Sequence, residues 1–271
     1  MRMILRNHLL ISVFLCVIAM VLFGPLCQAS VQHDPELVTI FRRAGVEGNF
    51  VLIDTNRQQT IVSDVTGSQR RFMPASTFKV LNALIAIEAG VVQEESEIFP
   101  WNGAPLPIKA WERDLTLKEA MAVSAVPVFQ EIARRIGLER MRQQVSRVGY
   151  GNSEVGSMVD RFWLDGPLAI SAIESAQFMA RLARRELPFS PQALDRLRRI
   201  LPMESFGPTR LYGKTGLAAS GKPIIGWYVG WVEQQDKIAA FALNILMKST
   251  EEAPLRKSLT AEALRHLGVL E

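Results

Sequence analysis

Hydrophobic and polar positions divide the 271-residue chain into an opening apolar run, a short alternating stretch, a long middle of helical spacing and a late return to alternation. Asn49–Asp54 and Gln59–Asp64 alternate and predict a hairpin turning at Thr55-Asn56-Arg57. Ser76 to Ala89, rich in Leu, Ile and Ala, predicts a helix with Gly90 at its C′ position. Thr116 to Ser124 predicts another, opened by the capping-box pair Thr116 and Glu119. Pro127 suits the first turn of a third, ending near Gly137. Gly149 to Pro167 has no period and reads as an irregular loop of a length usually kept for function. Helices resume at Ser171–Arg185 and Pro191–Ile200, and strands follow at Thr209–Thr215, Ile225–Glu233 and Lys237–Leu246. Glu233-Gln-Gln-Asp-Lys237 is a polar turn that makes the last two an antiparallel hairpin, and Pro254–Leu267 closes the chain as a helix. The implied class is α/β of the α+β kind: one antiparallel sheet built from both termini, helices on its faces and an all-helical region between.

The opening apolar run has its own meaning. Arg2 and Arg6 precede Leu9–Phe23, and Cys27-Gln28-Ala29 offers small residues for cleavage, the layout of an export signal. About 15 residues fall short of the roughly 20 that a spanning helix needs, and Leu26 is too bulky for lipoprotein processing at Cys27. Residues 1–29 are therefore expected to be a removable signal peptide, and 30–271 the mature domain released to the periplasm. Both cysteines, Cys16 and Cys27, leave with the signal, so the mature domain depends on its core rather than on a disulfide. Losing Arg2 and Arg6 takes 31 basic residues to 29 against 27 acids, a net charge of +2. That is too mild and too scattered for nucleic acid. No second long apolar stretch follows, so no stable membrane association is expected after cleavage.

Histidine limits the chemistry. His8 lies in the signal, leaving His33 and His266 near the two ends. Zinc hydrolases need clustered ligands, and a Ser-His-Asp triad needs a histidine beside its serine. No metal is expected, and a hydrolase here requires another base. Ser76-Thr77-Phe78-Lys79 supplies one: at i and i+3 of a helix start, Lys79 shares a face with the Ser76 hydroxyl. The unpaired N–H groups of that terminus favour a developing oxyanion. About one such Ser-Lys pair is expected by chance in a chain of this length. Lys214-Thr215-Gly216 ends a strand with a glycine that permits close ligand approach, and Ser124-Ala125-Val126 lies between two helices. Each motif taken singly also fits an ordinary cap, turn or linker.

In this order and spacing, the three motifs form the pattern of penicillin-recognising serine enzymes. With Pro74-Ala75-Ser76-Thr77-Phe78-Lys79, Tyr150-Gly151-Asn152, Phe162-Trp163-Leu164-Asp165-Gly166, Trp227-Tyr228-Val229-Gly230-Trp231 and Pro254-Leu255-Arg256-Lys257-Ser258, residues 45 to 271 resemble a class D (oxacillinase-type) serine β-lactamase. The Ser-Asp-Asn triplet and loop glutamate of class A are missing.

The resemblance implies the penicillin-recognising fold and opening of β-lactam rings through an acyl-enzyme on Ser76. It implies that Lys79 takes up carbon dioxide to become an N-carboxylated general base, with no other cofactor. An apolar setting of Phe78, Val80, Val126 and Leu164 would favour the neutral amine this needs. The indole of Trp163, with Val126 beside it, would hold the carbamate. Ser124 would pass a proton to the ring nitrogen with Lys214 keeping the field positive. Thr215, Gly216 and Arg256 would hold the drug's carboxylate, and the N–H groups of Ser76 and Leu217 would form the oxyanion hole. Tyr150 matches a tyrosine of structural role. The partners implied are small-molecule β-lactams, with the protein a monomer or homodimer. A non-hydrolysing β-lactam sensor domain and a cell-wall peptidase are the alternatives. The short Ala218–Ile225 loop, with Gly221 and Pro223, departs from the family at the mouth of the site, so substrate preference does not carry over.

Overall fold

The computed structural model describes residues 30–270, so the expected signal peptide and both cysteines lie outside the described residues. A seven-stranded sheet runs in the order β1-β3-β2-β9-β8-β7-β6. Its strands are β1 (Ser30–His33), β2 (Glu47–Asp54), β3 (Gln59–Val62), β6 (Met203–Phe206), β7 (Thr209–Ala218), β8 (Ile224–Gln234) and β9 (Lys237–Met247). A two-stranded ribbon pairs β4 (Ile98–Phe99) with β5 (Leu115–Thr116). The pairings from β3 through β2, β9, β8 and β7 to β6 are all antiparallel. The sheet is closed by β2 against β9, so the two ends of the chain meet in its middle, as the alternation implied.

Eight helices accompany it among the described residues: α1 (Pro35–Arg43), α2 (Lys79–Glu88), α3 (Leu117–Ala122), α4 (Val126–Ile136), α5 (Leu138–Val148), α6 (Ala172–Ala183), α7 (Pro191–Ile200) and α8 (Leu255–His266). Local chemistry sets their ends. Asp34 caps α1 with Pro35 in its first turn, Thr116 and Glu119 form a reciprocal capping box on α3, and Ser171 and Glu174 repeat it on α6. Gly90 follows α2 at φ +65, a conformation that suits glycine.

The helices α1 and α8 cover one face of the sheet, burying Leu37, Phe41, Leu259 and Leu264 against Phe50, Phe241 and Leu243. The other face carries α6 and the remaining helices around α2. Every residue of α2 from Lys79 to Ile87 is buried, the mark of a central helix apolar on all sides. Lys79 and Asn82 are its polar exceptions. Residues 149–168, between α5 and α6, contain turns and no strand or helix, as their lack of period predicted.

Candidate active site

Three elements bring the motif residues together. The chain reaches α2 through a tight 3-10 turn, Ala75–Phe78, so Ser76 precedes the α-helix and Lys79 is its first residue. This corrects the expected helix start at Ser76. Ala75 sits at φ 47, in the left-handed region that costs a non-glycine residue about 1–3 kcal/mol. Ser124, in the link between α3 and α4, is held the same way at φ 58. Both backbone outliers adjoin or bear the hydroxyls of the site.

Lys79 donates to the Ser76 hydroxyl at 2.6 Å and has 0% exposure. Burial, with Lys214 nearby, drives its pKa well below the ordinary lysine value, so the neutral amine is favoured. Phe129 of α4 places its ring 5.6 Å from Nζ. A second amine and hydroxyl face the first pair: Lys214 of β7 donates to Ser124 Oγ at 2.9 Å and to the Thr215 carbonyl at 3.0 Å. Burial lowers Lys214 to about 7, with Arg256 and Lys257 adding repulsion.

The strand β7 offers its edge to this cluster. Only Thr209–Phe206 and the pairs up to Tyr212–Met203 engage β6; from Gly213 onward β7 pairs with β8 on one side and meets the Ser76 turn on the other. A Cβ at Gly216 would lie 2.9 Å from the Pro74 carbonyl and 3.0 Å from Thr77 Cγ2, so glycine is what lets turn and strand touch. Thr215 and Leu217 alternate with Lys214 and Gly216 and are half-buried. Arg256 reaches over from α8, donating to the Gly216 carbonyl at 2.7 Å and to the Ala253 carbonyl at 2.7 Å. Its long side chain passes over Gly226, where a Cβ would lie 3.0 Å from it. Lys214 and Arg256 thus converge on one strand end, where positive charge favours an anion.

Trp163 comes from the irregular loop. It is fully buried, stacked on Phe78 at 5.4 Å and edge-on to Phe162 at 5.0 Å, and its indole N–H has no hydrogen-bond partner. An unmet buried donor costs about 1–3 kcal/mol, so this one points to an acceptor that belongs there. Val126 opens α4, half-buried. Tyr150 packs edge-on to Phe78 at 5.6 Å and is buried, which raises its phenol pKa. The Ala218–Ile224 connection is tied to the loop by Ser220 Oγ donating to the Leu164 carbonyl at 3.3 Å.

Sequence reasoning gave no role to three contributors, Trp227, Phe129 and Asn82. Trp227 donates from its indole to the Met73 carbonyl at 2.9 Å and bears on the segment leading to Ser76. Phe129 and Asn82 join α4 to α2, the Asn82 amide donating to the Phe129 carbonyl at 3.1 Å. A polar Asn one turn after Lys79 in an otherwise apolar helix was the available signal. His266 is engaged by Asp34 at 2.9 Å, and no cluster of metal-ligating side chains occurs among the described residues.

Residues 50–265 match the penicillin binding protein transpeptidase domain. The β-lactamase OXA-10 of Pseudomonas aeruginosa is 36% identical over 233 residues, 85% of this chain and 88% of its own length. The β-lactamase OXA-48 of Klebsiella pneumoniae is 38% identical over 83% of this chain and 84% of its own. The crystal structure of FUS-1 (OXA-85), a class D β-lactamase of Fusobacterium nucleatum subsp. polymorphum, superposes with a TM-score of 0.86 at 34% identity, covering 89% of this chain and 100% of that one. A serine-lysine pair at a helix entrance beside an open strand edge defines the penicillin-recognising serine enzymes, and within them the chain belongs to the class D β-lactamases.

Proposed function

We propose that the protein hydrolyses β-lactam antibiotics through an acyl-enzyme on Ser76. The observation that carries this reading is the buried Lys79, its pKa held well below the ordinary lysine value, at 2.6 Å from the Ser76 hydroxyl. Lys79 takes the Ser76 proton as Oγ attacks the ring carbonyl, and the amide C–N bond breaks. Ser124, donating to the ring nitrogen, is resupplied by Lys214 at 2.9 Å. The charge developing on the carbonyl oxygen is met by the N–H groups of Ser76 and Leu217. Thr215 and Arg256, beside Gly216, take the substrate's carboxylate.

The site also fits a carboxylated Lys79. A neutral amine is the form that combines with carbon dioxide, and the unmatched Trp163 N–H is a donor suited to the resulting anion. When present, the carboxyl group would supply an anionic oxygen as the general base for activating the deacylating water. Trp163 would hold it, with Val126 as an apolar wall. We further propose export to the periplasm after cleavage of residues 1–29. Among the described residues no helix is long and apolar enough to cross a membrane.

Steady-state hydrolysis of a penicillin, with and without added bicarbonate, tests the reading. Turnover that rises with bicarbonate supports it. Stoichiometric labelling of Ser76 without turnover would assign the protein as a sensor instead.

A further inference from the structure

We infer that Gln130, Arg134 and Asp160 form a latch that sets the position of the Trp163 indole, making Asp160 a positioning residue for the base at Lys79. The inference rests on the reading that Lys79 is carboxylated. Trp163 belongs to a piece of chain with its own short-range bonds: Arg161 N donates to Met158 O at 3.2 Å, Leu164 N to Arg161 O at 2.8 Å and Asp165 N to Arg161 O at 3.0 Å. Residues 158–165 are therefore joined by short-range bonds into consecutive tight turns. Asp160 fastens that segment to α4 twice. Its carbonyl accepts from Gln130 Nε2 at 3.1 Å, and its carboxylate accepts from Arg134 Nη1 at 2.7 Å. Gln130 and Arg134 are four residues apart and so share one face of α4.

The same helix holds the rest of the machinery. It starts two residues after Ser124, and its Phe129 places a ring 5.6 Å from Lys79 Nζ and a carbonyl on Asn82 of α2. The latch thus refers Trp163 to the same body as Ser124 and Lys79. Stacking on Phe78 and the edge-on contact with Phe162 fix the plane of the indole but resist sliding weakly. An N–H donor loses strength steeply with misalignment, so the polar tether on Asp160 decides how well the N–H is aimed. Arg134 and its pairing carboxylate are partly exposed, with side-chain exposures of 50% and 27%. Exposed pairs contribute little to stability, so the latch acts on position rather than on the fold.

Three variants separate the two bonds: Asp160→Asn keeps the carbonyl contact and loses the ion pair, Gln130→Leu does the reverse, and a double variant loses both. Carboxylation is read by 13C NMR of the carbamate carbon during a titration with 13C-bicarbonate at fixed pH. Each single variant should need about three- to tenfold more bicarbonate for half-saturation, the double variant more, with unfolding midpoints close to wild type. Arg134→Lys, which retains the cation, should restore part of the loss in an otherwise wild-type latch relative to Arg134→Ala. Arg43→Ala, which breaks the exposed Arg43–Glu36 and Arg43–Glu262 pairs and shares no partner with Arg134 or Asp160, should titrate like wild type. Latch variants that titrate like wild type would overturn the inference while leaving carboxylation intact. A wild-type protein with no carbamate signal at any bicarbonate level would overturn both.

Discussion

Lys79 and Lys214 are buried without a carboxylate partner, so their charge is set by desolvation first and then by neighbouring cations: Lys214 for Lys79, and Arg256 and Lys257 for Lys214. For Lys214 this has a measurable sign. In the unfolded chain the amine holds its proton up to about 10.5, whereas in the fold it releases it near 7. Between those limits the unfolded state binds more protons, so this group makes folding more favourable as pH rises, by up to about 1.4 kcal/mol per unit. Below the folded pKa its penalty is constant. In carbon dioxide-free buffer, Lys214→Met should therefore be more stable than wild type near neutrality, and the difference should shrink as urea unfolding is repeated at increasing pH towards 10.5. A difference independent of pH would mean that Lys214 keeps its proton in the fold. At the same scale, Ser76→Ala should abolish turnover and covalent labelling by penicillin, as read by intact mass, with the fold retained. Lys79→Ala should still acylate slowly but accumulate the acyl-enzyme, because the serine and the oxyanion donors survive while the water-activating base is gone.

Among the elements, β7 is the one whose sequence is spent on contact rather than on side chains. Gly216 has no room for a Cβ beside the backbone carbonyl of Pro74, and backbone cannot move aside as a flexible side chain can. Gly216→Ala should push the strand from the Ser76 turn and lower kcat/KM about tenfold to a hundredfold, the order expected when reacting groups are misplaced by a fraction of an ångström to 1 Å. A variant with unchanged kinetics would show that the turn relaxes freely. Arg256, fixed on the Gly216 carbonyl, should act differently: Arg256→Ala removes a charged contact with the substrate carboxylate of about 1.5–3 kcal/mol, raising KM far more than it lowers kcat. These two positions also show what was legible. Lys-Thr-Gly and Arg256 were named from the sequence because their chemistry is local to their side chains. The left-handed backbones of Ala75 and Ser124, the tether from Gln130 to the Asp160 carbonyl and the Trp227 bond to Met73 were not, because each depends on a partner distant in sequence or on a conformation that Ala and Ser do not advertise. Among the elements themselves, α5 was missed because its apolar stripe is sparse, with Met141, Val145 and Val148 buried in an otherwise polar segment. The exposed edge strand β6 was missed because all four residues face solvent and alternation has nothing to record.

At the scale of the whole molecule the sheet divides labour between its faces. One carries α2, the Ser76 turn and the loop bearing Trp163; the other is closed by α1 and α8, whose contacts include Leu37, Phe41 and Leu264. The late hairpin of β8 and β9 and a sheet built from both termini were implied by alternation, the structure adds that β2 pairs with β9, and the register places Gly216 of β7 opposite Trp227 of β8, which lies opposite Asn244 of β9. Chemistry thus depends on the far face through the strands and through Arg256 of α8. This separation is testable with Leu264, which has 0% exposure and is two turns along α8 from Arg256. Leu264→Ala removes buried methyl groups and leaves a cavity among Leu37, Phe41 and Phe241, which should cost about 2–5 kcal/mol. The unfolding midpoint in urea should fall accordingly, with its slope unchanged, since the surface exposed on unfolding is nearly the same. At a temperature where the variant remains folded, kcat and KM for a penicillin should stay within about twofold of wild type, because the β7 edge and the first turn of α8 keep their contacts. If KM rises together with the loss of stability, the cavity is being transmitted along α8 to Arg256. The two faces would then be mechanically coupled rather than separate.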